Sequence, residues 1–323
     1  MAKGADIKAA SRFSSAIRCY VEGTALFEAC LKGRLDIATL LLELGAAING
    51  AIHNPLVVFS DLRQNDVVRL LIAHGADVNL IDNDDRSSLS VACERGYDDL
   101  VELLLDHGAD MNLVRSVYHC SPFLLACIKG CFSTVKLLVD RGADVNYVGE
   151  RAPLVAACQH GQVEVAHLLL ERGADVNKAL KQDGVAPLMA AAACNRVDQG
   201  MIDLLLEYGA NINAEYGVFC ALNISAIKDR RDIVILLLER GADLYRDDGV
   251  TRIAYSTHGS IFITDPEIAA LVVKYGESNK RAYRALLTPA EVRLEWVIIM
   301  SGSVVFTRIL QSFFAIIVCI RCT

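Results

Sequence analysis

From Thr24 to Asn49 the chain reads TALFEACLKGRLDIATLLLELGAAIN. Thr24 suits a helix N-cap, because its hydroxyl can accept a hydrogen bond from a first-turn N–H. Leu26, Ala29 and Cys30 then recur at helical spacing on one face. Gly33 ends this short helix and permits a tight turn. A second helix follows, with Ile37, Leu40 and Leu41 expected on its apolar face. Gly45 stops it, since glycine alone takes a left-handed backbone without steric cost. The reading is helix–turn–helix–loop, and neither helix can bury its apolar stripe without a neighbouring unit.

The closing phrase of that stretch recurs. It is GAAIN at Gly45, GADVN at Gly75, GADMN at Gly108, GADVN at Gly142 and Gly173, GANIN at Gly209 and GADLY at Gly241. Successive glycines lie 30, 33, 34, 31, 36 and 32 residues apart. A period of this size means stacked supersecondary units, which bury a continuous core only together. Units begin near Thr24, Asn54, Ser87, Ser121, Ala152, Ala186 and Cys220, and a decayed eighth runs from Thr251 to Gly276. Pro55, Pro122, Pro153 and Pro187 follow the cap position, where a missing N–H costs nothing.

Composition narrows the chemistry. Net charge is −7 and no Lys/Arg-rich run occurs, so no nucleic-acid partner is expected. Of eleven cysteines, Cys30, Cys93, Cys127 and Cys158 take one equivalent place, which reads as close helix packing. No paired metal-ligand spacing occurs within the units, and the CxxC of Cys319 and Cys322 stands alone. P-loop, GxGxxG, HExxH, GxSxG and kinase signatures are missing, so the chain is read as non-enzymatic, with no cofactor. His74 and His107 precede helix-ending glycines and are read as bonding the last carbonyls. Acid pairs such as Asp98–Asp99 are read as solvated.

These units resemble ankyrin repeats, a family whose unit starts T-P-L-H-x-A and ends in a GADVN-type phrase. Ser121 to Asn146 and Ala152 to Asn177 carry the likeness most closely, and it covers roughly residues 24–279. The resemblance implies an all-α solenoid of stacked helix–turn–helix units with β-hairpin or loop fingers. It also implies an interaction module, a scaffold or adaptor that binds a protein partner; the N-terminal stretch lacks the apolar core of a secretory signal, so a cytoplasmic or nuclear monomer is expected. The family's helix-start histidine is replaced in every unit, by Phe27, Val57, Ser90, Leu124, Val155, Met189, Asn223 and Ala254. Burial is expected to replace its hydrogen bonds. The glycine between the two helices is lost at Arg63 and Asp229.

The ends depart from the pattern. Residues 1–23 are read as an N-terminal cap or frayed segment, 280–296 as a charged helical segment and 297–323 as an apolar tail. Val297 to Ile320 is long enough to span a bilayer, but Arg308 at its middle costs about 3 kcal/mol there. Three readings stand: a tail anchor, a tail folded on the last unit, and a truncated or misread coding end. Any membrane association rests on this segment, in a tethered protein or a fragment of a larger channel or signalling protein.

By the resemblance, specificity lies at the finger tips and on the concave helix face. The tip candidates are Asn83, Asp84, Arg86, Tyr118, Tyr147, Glu150, Lys181, Glu215 and Tyr216; the helix candidates are Glu94, Arg95, Lys129 and His160. Tyr118, Tyr147 and Tyr216 fall on three fingers and suggest a partner lying across them, since aromatics are enriched at hot spots. Asn79, Asn112, Asn146 and Asn177 each follow a leucine eight back and an acid two back. That spacing resembles the site of the ankyrin-directed asparagine hydroxylase of animals.

Overall fold

The computed structural model describes residues 11–12, 22–49, 54–113, 120–147, 151–180, 184–197, 199–216 and 219–243. Most of the N-terminal cap lies outside the described residues. So do Tyr118, Glu150 and Lys181, the eighth unit, the segment 280–296 and Val297 to Ile320.

The fold is the expected all-α solenoid, with fourteen helices among the described residues. Two compact units divide it, Met1–Tyr216 and Gly217–Thr323. In the first, β1 (Ser11–Arg12) pairs antiparallel with β2 (Glu22–Gly23), Ser11 opposite Gly23. Six helix pairs follow: α1 (Ala25–Leu31) with α2 (Leu35–Glu43), α3 (Pro55–Asp61) with α4 (Asn65–Ala73), and α5 (Ser88–Arg95) with α6 (Asp98–Asp106). Next come α7 (Pro122–Lys129) with α8 (Phe132–Asp140), α9 (Pro153–His160) with α10 (Val163–Glu171), and α11 (Pro187–Ala193) with α12 (Gln199–Glu207). β3 (Glu215–Tyr216) ends this unit. The second unit holds β4 (Phe219–Cys220) and a seventh pair, α13 (Ala221–Ile227) with α14 (Arg231–Glu239).

Local chemistry sets the helix starts. Thr24, Ser87 and Ser121 each accept the N–H three residues on, and Asn54 accepts from Leu56. Pro55, Pro122, Pro153 and Pro187 occupy the first helical turn. His74 and His107 do bond a last-turn carbonyl, Leu70 O at 2.9 Å and Leu103 O at 2.8 Å. Gly130 has φ +77°, and a Cβ there would run into the Gln162 side chain, whose Nε2 donates to Ile128 O at 3.2 Å. Arg63 and Asp229 keep the same left-handed turn without glycine, at φ 55° and 53°.

The core lies where first helices stack, as α3, α5, α7, α9 and α11 do in turn. Every described substitute for the missing histidine is buried, from Phe27 to Asn223. Phe27 meets Phe59 at 5.1 Å between ring centroids. Ser90 and Asn223 also close capping boxes onto Ser87 and Cys220. Cys30, Cys93, Cys127 and Cys158 are buried as the packing reading requires.

Polar ties cross from pair to pair. Asn79 Nδ2 donates to Gly108 O at 3.0 Å, while its Oδ1 accepts Asp110 N–H at 2.8 Å. Asn146 does the same with Gly173 and Asp175, and Asn177 with Gly209 and Asn211. Asn112 makes no such side-chain bond among the described residues; only its backbone N–H is engaged, by Asp110 Oδ1. On the second helices, Arg141 reaches Asp106 and Glu102, and Arg172 reaches Asp140. Asp98 and Asp99 are not simply solvated: Asp98 accepts from Thr134, and Asp99 from Asn65 and Arg63.

One expected face is turned. In α2, Ala38 and Leu42 are buried and Leu41 is half-buried, but Ile37 is 40% exposed and Leu40 55%. Leu44 beside them is 61% exposed. Val67 and Leu100, which like Ile37 stand eight residues before a helix-ending glycine, are 3% and 0% exposed. Each belongs to a second helix that follows another in the stack. Among the described residues no second helix precedes α2 to cover Ile37 and Leu40.

Candidate functional site

The loop from Gly75 to Ser87, leading from α4 into α5, is a finger described along its whole length. The finger before α5 is built on a buried acid. Asp82 Oδ1 accepts the N–H groups of Asp84 and Arg86, both at 2.9 Å, and Ile81 forms a bridge with Ser87. Asp82 Oδ2 accepts Arg86 Nε at 3.0 Å and pairs with Nη2 at 2.8 Å. Asp84 and Asp61 lie 3.6 and 3.8 Å from the same guanidinium. Desolvation disfavours the charge on Arg86, yet the Asp82 hydrogen bond and the three carboxylates outweigh it and raise its pKa.

Between this finger and the first helices runs a groove of about 660 Å³. Its apolar lining is Ile81, Leu113, Cys120, Leu125 and Ile128; Leu125 and Ile128 rest on the buried cluster of Cys120, Leu124 and Ala156. Asn83, Asp84, Arg86, Glu94, Lys129 and His160, all expected at the site, do line it. They are not free charges. Lys129 Nζ sits 2.9 Å from Glu94, joining α7 to α5, and Arg95 sits 2.9 Å from Asp61, joining α5 to α3. His160 Nδ1 bonds Ala156 O at 2.9 Å. Exposed pairs of this kind contribute under about 1 kcal/mol each, so a partner can exchange them.

A family model of ankyrin repeats matches the chain in three copies, over residues 49–115, 111–180 and 154–248. The chain belongs to the ankyrin repeat family. Among solved structures it is similar to the human ASB11 ankyrin repeat domain, at 27% identity and a TM-score of 0.59, over 68% of this chain and 99% of that one. The ankyrin repeat domain of Bcl-3, titled a unique member of the IkappaB protein family, gives 26% identity and a TM-score of 0.57, again over 68% and 99%. No curated protein matches. Ankyrin repeats are generally protein–protein interaction modules, and the fold is typically non-enzymatic.

In this ankyrin frame two of the three row tyrosines fall among the described residues. Tyr147 and Tyr216 are exposed, but neither lines the groove, and Tyr118 lies outside the described residues. The Tyr216 ring lies over the Gly184 backbone, and Glu215 is exposed on β3. Glu150 and Lys181 are outside the described residues. The structure adds Arg151, Asp85 and Leu125, which the sequence reading missed. Arg151 stands just before the cap Ala152, as Arg86 stands before the cap Ser87, and that register was the available signal. Among the described residues, no helix is long and apolar enough to cross a membrane, and no cluster of metal-binding side chains forms.

Proposed function

We propose that this ankyrin protein is a scaffold or adaptor, in the cytoplasm or nucleus, that holds a protein partner in the groove from the second to the fifth pair. The observation that carries this is an apolar floor rimmed by exposed charge on several successive repeats. Extended surfaces of stacked repeats bind in this way. On this reading the chain acts as a monomer, with seven repeats and a degenerate eighth near Thr251 to Gly276. Proximity labelling with the full chain tests it. Ile128→Asp with Arg151→Glu should remove at least one saturable partner, whereas Lys136→Glu on α8 should remove none. An identical set of partners for all three chains would count against the groove.

We also propose Asn112 as the preferred hydroxylation target among Asn79, Asn112, Asn146 and Asn177. Its exposed side chain is the one that makes no cross-repeat bond among the described residues, so a modifying enzyme reaches it without breaking a tie. Peptide mass spectrometry of the native protein should find added oxygen there first. Oxygen on Asn146 with none on Asn112 would reverse the assignment.

A further inference from the structure

The groove is charged asymmetrically along its length. At the finger before α5 the lining carries two carboxylates, Asp84 and Asp85, and one guanidinium, Arg86, which Asp82 and Asp61 also contact, so this end keeps an excess of carboxylate. In the middle, Glu94 and Lys129 neutralise each other at 2.9 Å. At the finger before α9, Arg151 is exposed and meets no carboxylate among the described residues. His160 stands on the same lining, with Nδ1 bonded to Ala156 O. Between the two ends lie Leu113, Cys120, Leu125 and Ile128.

From this polarity we infer that the occupant is an extended segment of the partner with a basic residue at one end, an aliphatic residue in the middle and an acidic residue at the other. The basic residue meets Asp84 and Asp85, the aliphatic side chain sits on Leu125 and Ile128, and the carboxylate pairs with Arg151. The spacing follows from the stack. The two fingers are two repeats apart, and packed helices lie 8–10 Å apart, so the charged ends are about 20 Å apart. An extended chain advances about 3.3 Å per residue, which separates the two charges by about six residues. Charge complementarity of this kind fixes the register and direction of the partner more than its raw affinity. The inference rests on the groove reading above and sharpens it to a partner chemistry.

Selection of random twelve-residue peptides displayed on phage, against the immobilised full chain, tests it. Enriched peptides should share a basic and an acidic residue five to seven positions apart, with an aliphatic residue between. Arg151→Glu should weaken a selected peptide by about tenfold, a change of about 1.4 kcal/mol. Changing the acid of that peptide to lysine should restore binding to the Arg151→Glu chain. Asp84→Lys should weaken the same peptide at its other end. Enriched peptides without this spacing, or indifferent to Arg151→Glu but lost with Ile128→Asp, would overturn the inference and leave the groove standing. No enrichment over a blank surface would overturn both. Arg151 and Asp84 are exposed, so neither change disturbs the core.

Discussion

Asn146 and Asp175 are joined across a repeat boundary: the Asn146 side-chain oxygen accepts the Asp175 backbone N–H at 2.8 Å. The amide nitrogen of the same side chain donates to Gly173 O at 2.8 Å. With its counterparts at Asn79 and Asn177, this tie links neighbouring repeats through side-chain amides.

Removing it should be felt. Two hydrogen bonds at about 0.5–1.5 kcal/mol each put the cost of Asn146→Ala at roughly 1–3 kcal/mol. Asn112→Ala should cost much less, because that side chain makes no cross-repeat bond among the described residues. Urea denaturation of the two variants checks the difference, and equal costs would refute the tie.

Asp229 and Arg63 sit in the left-handed region where other repeats carry glycine. Asp229→Gly should stabilise the protein by about 0.5–1 kcal/mol through relief of that conformation. Arg63→Gly should come out near zero. It gains the same relief but loses the guanidinium stacked 4.9 Å from the Tyr97 ring centroid and the Asp99 pair at 3.4 Å. Denaturant midpoints at unchanged slope separate the two.

Leu40 and Leu103 hold the same place in their helices, five residues before a glycine, yet Leu40 is exposed and Leu103 buried. Leu40→Lys should therefore change stability by no more than about 0.5 kcal/mol. Leu103→Lys should cost about 3 kcal/mol or more, because it buries a charge. Thermal melts of both variants measure this. A large loss from Leu40→Lys would show that its flank is covered in solution.

Burial pushes the Cys30 thiol up to about 11, from an ordinary value near 9.0, and raises Cys93, Cys127 and Cys158 as well. The folded state thus binds these protons more tightly than the unfolded chain. The stabilisation is complete below about pH 9 and is lost as pH climbs through 11. The urea midpoint should be flat from pH 7 to 8.5 and fall between pH 9 and 11. Replacing Cys30 with alanine should soften that fall. At pH 8 the half-buried Cys131 should be alkylated before any of the four.

Sequence revealed most where chemistry is local. The Thr24 cap, the first-turn prolines, the helix-ending glycines and the equivalent cysteines each depend on residues within a few positions. It failed where the answer depends on the neighbouring repeat. Ile37 has the spacing of a core residue and is exposed, with no second helix before α2 among the described residues. Glu94 and Lys129 read as free contact residues, but repeats set 35 positions apart bring them together. Arg151 is not legible as a contact residue in sequence because it sits beside the cap Ala152, next to the tip and not on it.

The boundary between the third and fourth repeats, beneath the groove, carries the asparagine without a side-chain tie. Other ties cross it instead: Lys129 to Glu94, Thr134 to Asp98, and Arg141 to Asp106 and Glu102. A change confined to the Asn112 side chain therefore leaves these links between the third and fourth repeats in place.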